Sequence, residues 1–175
     1  MPNPFEELGA KGAGALKQAQ GALKGLHGVF NTLVKEHGEV SMLLERTKLS
    51  NDPEKRLDLW SKIRMELLSH EQGELEVVYP AYRQHAQLRQ YAEEHEAEAG
   101  ALQALISELD GIDTASDAWL PRFEALVQLV KSHVDEEENI FFPEAAKIFS
   151  KEESDELDQR YLANKESAQG AVGAH

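Results

Sequence analysis

Two short segments of this chain carry the same chemistry-bearing pattern. His70 is followed after four residues by Glu74 and after ten by Pro80, and His133 is followed by Glu137 and Pro143 at the same distances. His and Glu at that spacing share one helix face. A Glu-His dipeptide stands upstream of each pair, Glu36-His37 before the first and Glu94-His95 before the second. The repeat unit is therefore a helix with one histidine followed by a helix with HxxxE, and it occurs twice. Neutral imidazole is a strong ligand for iron, zinc, nickel and copper. A carboxylate can bridge two cations and cancel part of their repulsion. Four histidines and two glutamates would give each of two metals two histidines, with two bridging carboxylates between them. Six protein ligands leave coordination open, which a reactive centre needs and a purely structural site does not.

A lone core histidine is more often a hydrogen-bonded structural residue than a ligand, and a single HxxxE carries little information. Here that bland account has to explain four histidines and two glutamates, duplicated and in register, on otherwise apolar stripes. Buried charge is costly unless it is paired or bound to metal. His27 and His85 each lie ten residues ahead of one of these histidines, which turns them off the core face. Both are expected at the surface, with His175 in a tail. Glu71, Glu136 and Glu138 are expected to form a solvated acidic face.

The elements that position these residues are helices. Leu, Glu, Ala, Lys and Gln are abundant and strand signals are nearly absent, so propensity and periodicity agree. The first bundle helix is expected over about Gly21–Thr47, with the seam Leu26, Phe30, Leu33, His37, Val40 and Leu44 in heptad steps. Asp52 and Pro53 read as N-cap and first residue of the second helix, which carries Trp60, Ile63, Leu67, His70, Glu74 and Val77. Pro80 ends or kinks it. The third, about Tyr82–Leu109, has the seam Leu88, Tyr91, His95, Glu98, Leu102, Leu105 and Leu109. The fourth begins near Asp117 and carries Trp119, Phe123, Leu126, Val130, His133, Glu137 and Ile140. The expected architecture is all-α: an up-down-up-down four-helix bundle over residues 21–149. A Gly/Ala-rich N-terminal arm over 1–20 precedes it. A short fifth helix, capped by Ser150 and Glu153, and a flexible tail complete 150–175.

Composition narrows the chemistry. With no cysteine, disulfides, thiolate metal sites and cysteine nucleophiles are excluded. A net charge of −14 disfavours nucleic acid or an anionic membrane as partner and favours cations. No stretch approaches the ~20 apolar residues of a membrane span. The N-terminus lacks the basic and apolar regions of a signal peptide. The expected location is the cytoplasm, and no output domain is expected on the chain.

The segments LVKEHGEV, SHEQGELEVVYP, AEEHEAE and SHVDEEENIFFP together resemble the hemerythrin-like family, or HHE cation-binding domain, across about residues 26–145. The resemblance implies a four-helix bundle with two non-haem iron ions, carboxylate-bridged and oxo- or hydroxo-bridged when oxidised. Carried over by position, His37 and His70 would bind one iron, His95 and His133 the other, and Glu74 and Glu137 would bridge. The family usually has HxxxH on the third helix. Here position 99 is Ala99, while Tyr91 stands four residues before His95. Tyr91 is either a replacement ligand or a core tyrosine bonded to a carboxylate, and Glu98 is the rival ligand. The expected function is binding or sensing of O2 or a related small molecule. A di-iron enzyme acting on peroxide or nitric oxide, iron storage or delivery, and a metal-free pH-responsive bundle are the alternatives.

Overall fold

The computed structural model describes the backbone of residues 4–172 and the side chains of 8–170; the expected tail position of His175 lies outside the described residues. Among these the chain is all-α, without strands. Its elements are α1 (Pro4–Leu23), α2 (Gly28–Leu49), α3 (Pro53–Gly73), the short α4 (Tyr79–Tyr82), α5 (Arg89–Asp110), α6 (Trp119–Glu136), the short α7 (Phe142–Ala146) and α8 (Lys151–Val172). No described helix is long and apolar enough to cross a membrane. The expected caps form: Asp52 accepts from the backbone N–H of Glu54 and Lys55 ahead of Pro53. Ser150 and Glu153 exchange both bonds of a capping box.

α2 packs on α3, α3 on α5, α5 on α6 and α6 on α2, closing a ring of helices; α1 lies against α2, and α8 against α2 and α3. The core is two apolar clusters. One holds Trp60, Ile63, Ile106, Trp119, Phe123 and Val130. The other holds Phe30, Leu33, Tyr79, Tyr82, Phe142 and Tyr161. His37, His70, Glu74, His95, His133 and Glu137 lie between the two in sequence on their helices.

α3 and α6 each run into one turn of π-helix, Glu74–Val78 and Glu137–Phe141, before the short α4 and α7. The N–H of Tyr79 donates to the carbonyl of Glu74, and that of Phe142 to Glu137, five residues back in both cases. Pro80 and Pro143 explain the widening. A proline ring collides with the carbonyl four residues earlier and has no N–H to give it, and the wider turn moves that carbonyl aside. The extra residue rotates the face that follows. Phe141 enters the core in place of the expected Ile140, which is 46% exposed. Such π-bulges recur at functional sites.

Three expectations are corrected. The Gly/Ala-rich start is the helix α1, because its small residues let two backbones close up. A Cβ at Gly38 would lie 2.8 Å from the carbonyl oxygen of Ala13, and one at Gly14 2.7 Å from that of Lys35. The C-terminal helix is not short: α8 has 22 residues and runs past Ser167, where a tail was expected. On α5 the buried line is Leu88, Ala92, His95, Ala99, Leu102, Ile106 and Leu109. Small alanines, invisible to a search for large apolar residues, form part of the seam, and Tyr91, Glu98 and Leu105 flank it.

Gly38→Val should drive α1 off α2 and cost about 1–3 kcal/mol, with amide exchange rising in α1 while the α2–α3–α5–α6 ring keeps its protection.

Candidate metal centre

The ligand candidates are delivered by four long helices and by the π turns that follow two of them. His37 comes from α2, His70 from the last turn of α3 and His95 from α5, while His133 lies in the last turn of α6. Glu74 and Glu137 are the first residues of the two π turns. The two glutamates and His95 are fully buried.

Their donor atoms converge in two groups, each within 4.8 Å: His37, His70 and Glu137, and Glu74, His95, His133 and Glu137. Glu137 belongs to both. Its Oε2 lies 3.2 Å from His37 Nε2 and 3.4 Å from His133 Nε2. Glu74 Oε2 lies 3.4 Å from His70 Nε2 and 3.7 Å from His95 Nε2. Ring centroids are 5.1 Å apart for His37 and His70 and 4.9 Å for His95 and His133.

Whether a metal fits can be judged from the polar atoms left without partners. Buried donors and acceptors are almost always hydrogen-bonded. Here His37 Nε2, both nitrogens of His95, His133 Nε2, both oxygens of Glu74 and Glu137 Oε2 are buried without a hydrogen bond. Each of these residues supplies one donor atom to the two groups. An imidazole–carboxylate set with no thiolate suits iron and its neighbours, so the residues fit a pair of cations.

The outward nitrogens are occupied instead. His37 Nδ1 donates to Glu138 Oε1 at 2.9 Å, His70 Nδ1 to Glu36 Oε2 at 2.8 Å and His133 Nδ1 to Glu98 Oε2 at 2.9 Å. Such a bond fixes the tautomer and aims Nε2 inward, the usual support for a ligating histidine. Glu98, the expected rival ligand, therefore sits behind His133, on the far side of its ring from the ligand groups. Glu138 is also drawn out of the expected acidic face, as is Glu71, which is 3% exposed with Oε1 2.9 Å from His95 Nε2. Glu136 stays partly exposed beside Glu98. Glu138 is covered by α1 through Lys17, a contact that periodicity along its own helix does not show. His27 is exposed, and His85 packs edge-on against Phe149, away from the centre.

Tyr91 is half-buried and stacks on Phe141 at 4.7 Å; no hydrogen bond links its hydroxyl to the six residues. The tyrosine beside them is Tyr79, which the sequence reading missed. Its ring stacks on His95 at 3.9 Å and 16°, and its hydroxyl donates to Glu137 Oε1 in a short bond. Phe142 stacks on His37 at 12° in the matching place of the other half. The signal was present: Tyr79-Pro80 and Phe142-Pro143 each follow their glutamate by five residues.

The electrostatics are those of a site built for cations. Burial pushes Glu74 well above the usual carboxylate range, and the charges of Glu137 and Glu71 push it further. Burial acts on Glu137 too, but His133, His37 and His95 overcome it and hold that carboxyl well below the usual range. A bound cation would favour the ionised form of Glu74, against its upward shift. For His133, burial acts downward, yet Glu137 and Glu98 raise it from 6.5 to about 9.

A histidine raised in the folded state stabilises fully below its ordinary value, and that contribution disappears as pH climbs through the raised one. Chelator-treated protein should therefore lose on the order of 3 kcal/mol of unfolding free energy between pH 6.5 and about 9, as read by urea denaturation at each pH. Glu98→Gln should flatten that loss; stability that rises over the window would contradict the assignment.

Comparison with known proteins adds the following. A family model described as the hemerythrin HHE cation-binding domain matches residues 24–145. A DNA nickase of Nostoc sp. is 25% identical over 154 residues, which are 88% of this chain and 44% of that protein. An uncharacterized hemerythrin-like protein of Schizosaccharomyces pombe is 23% identical over 128 residues, 72% of this chain and 63% of that protein. The chain thus spans less than two thirds of either relative. No solved structure matches it.

Proposed function

The chain belongs to the hemerythrin HHE cation-binding domain family, and from that premise we propose that it is a non-haem di-iron protein that binds O2 or a related small molecule. The proposed ligands are His37 and His70 for one iron and His95 and His133 for the other, with Glu74 and Glu137 bridging, on an up-down-up-down four-helix bundle acting in the cytoplasm. The observation that carries the reading is the set of buried, unpartnered nitrogens and oxygens converging from four helices on two adjacent points that share Glu137.

Bound iron would supply the redox change and the open coordination that a small molecule needs. The chain's own residues do the rest. Glu36, Glu98 and Glu138 hold three imidazoles in orientation. Tyr79 and Phe142 pin the rings of His95 and His37 from the apolar end. A cavity of about 330 Å³ touches His37, His70 and His133 and is walled by Val40, Leu43, Leu67, Ala99, Leu102 and Val130. Its apolar walls suit an uncharged diatomic entering from the side opposite the aromatic stacks.

Tyr79 supports the enzyme alternative, action on peroxide or nitric oxide. It sets an oxidisable phenol against the shared carboxylate. Storage or delivery of iron is supported only by the net charge of −14. The same charge argues against extending the Nostoc relative's name, DNA nickase, to this chain.

Purified protein should contain close to two irons, and chelation should lower its melting temperature. Glu74→Ala and Glu137→Ala should each cost more than one equivalent of iron and His37→Ala about one, whereas His27→Ala and His85→Ala should cost none by metal analysis. Reversible, stoichiometric O2 uptake in the visible spectrum supports binding, and sustained peroxide consumption supports the enzyme. Tyr79→Phe keeps the stack on His95 and frees one oxygen of Glu137. It should shift the visible spectrum of the oxidised protein and lower any peroxide turnover at least tenfold, with both irons retained.

A further inference from the structure

α1 and α8 lie outside residues 24–145, the part matched to the family, yet α8 reaches His70 and α1 reaches the carboxylate behind His37. The buried face of α8 carries Ser154, Leu157, Tyr161, Lys165 and Ala168. Tyr161 and Lys165 sit one turn apart on it, over Glu36. The Tyr161 hydroxyl donates to Glu36 Oε2 at 2.6 Å and lies 3.1 Å from His70 Nδ1. Lys165 Nζ lies 2.9 Å from Glu36 Oε1 and 2.8 Å from Glu66 Oε2, and its residue is 8% exposed. The seat for the tyrosine is shaped at Gly73, where a Cβ would stand 2.5 Å from Tyr161 Cε2. From α1, which also packs against α2, Lys17 pairs with Glu138 at 2.7 Å, and Glu138 holds His37.

Both histidines of one group therefore have a carboxylate that is itself backed by a cation from a flanking helix. The other group differs. Glu98 behind His133 has a side chain 37% exposed and a second carboxyl group, Glu136, hydrogen-bonded to it, and His95 is held by a ring stack.

We propose that α8, through Tyr161 and Lys165, and α1, through Lys17, are positioning elements of the metal centre that secure specifically the metal held by His37 and His70. The proposal rests on the di-iron reading above. Its physical basis is orientation. A ligating imidazole keeps its aim and basicity only while its outer nitrogen is held, and a buried carboxylate stays charged and in place only while a cation or donor faces it.

The test uses the full-length, iron-loaded protein and follows iron transfer to a chelator, with circular dichroism to confirm retained helix. Tyr161→Phe keeps the ring against Gly73 and removes only the hydroxyl. One of the two irons should leave ~10–100-fold faster while the other keeps its wild-type rate. Lys165→Met should do the same, and Lys165→Arg should restore the slow release. In a His133→Ala background, which retains the His37/His70 metal, Tyr161→Phe should accelerate release; in a His37→Ala background it should not. Unchanged release of both irons in the Tyr161→Phe and Lys165→Met variants, or equal acceleration of both, overturns the proposal while leaving two irons in the wild type. Wild-type protein without two irons would remove the di-iron reading itself, so the two failures are told apart.

Discussion

Glu74 and Glu137 stand side by side between two apolar clusters, with four imidazoles around them, and the rest of the structure answers to that constraint. Two carboxylates in a low-dielectric interior repel one another and resist ionisation. Part of the compensation is within the protein: three histidines hold the Glu137 carboxyl well below the usual range, while burial and its acidic neighbours push Glu74 well above it. The remaining donors have no hydrogen-bonding partner among the described residues. A pair of cations would satisfy most of them at once, which is why the same atoms that look costly in isolation read as a binding site.

The bundle meets this constraint twice, about a pseudo-two-fold axis. In each half a helix ends in a histidine, a π turn opens on the glutamate, and an aromatic residue before proline stacks on the histidine of the other half. The π turn links these features mechanically. Proline forces the wider hydrogen-bond spacing, and the wider spacing swings the aromatic ring inward over the ligand. The halves are not equal in detail. Tyr79 carries a hydroxyl to Glu137 where Phe142 has none, and the flanking helices brace only the His37/His70 side. Two metals in such a frame would differ in lability and reactivity even with similar ligands.

Much of this was legible in the sequence, because it rests on spacing along single helices. Four-residue His-Glu steps, heptad seams and the duplicated HxxxE-to-proline interval fix which side chains share a face, so the six convergent residues and the all-α class follow without coordinates. Other features depend on contacts between elements distant in the chain, and those only the tertiary structure decided. Ala92 and Ala99, not Tyr91 and Glu98, face the core of α5, because their small side chains admit the neighbouring helices. Glu71 is buried and Glu138 half-buried because other helices cover them. The Gly/Ala-rich start is a packed helix because Gly14 and Gly38 let α1 and α2 approach closely. Tyr161 and Lys165 reach Glu36 across more than 120 residues of sequence. Helical period carries information over one or two turns; beyond that, the burial of a side chain is set by what packs against it.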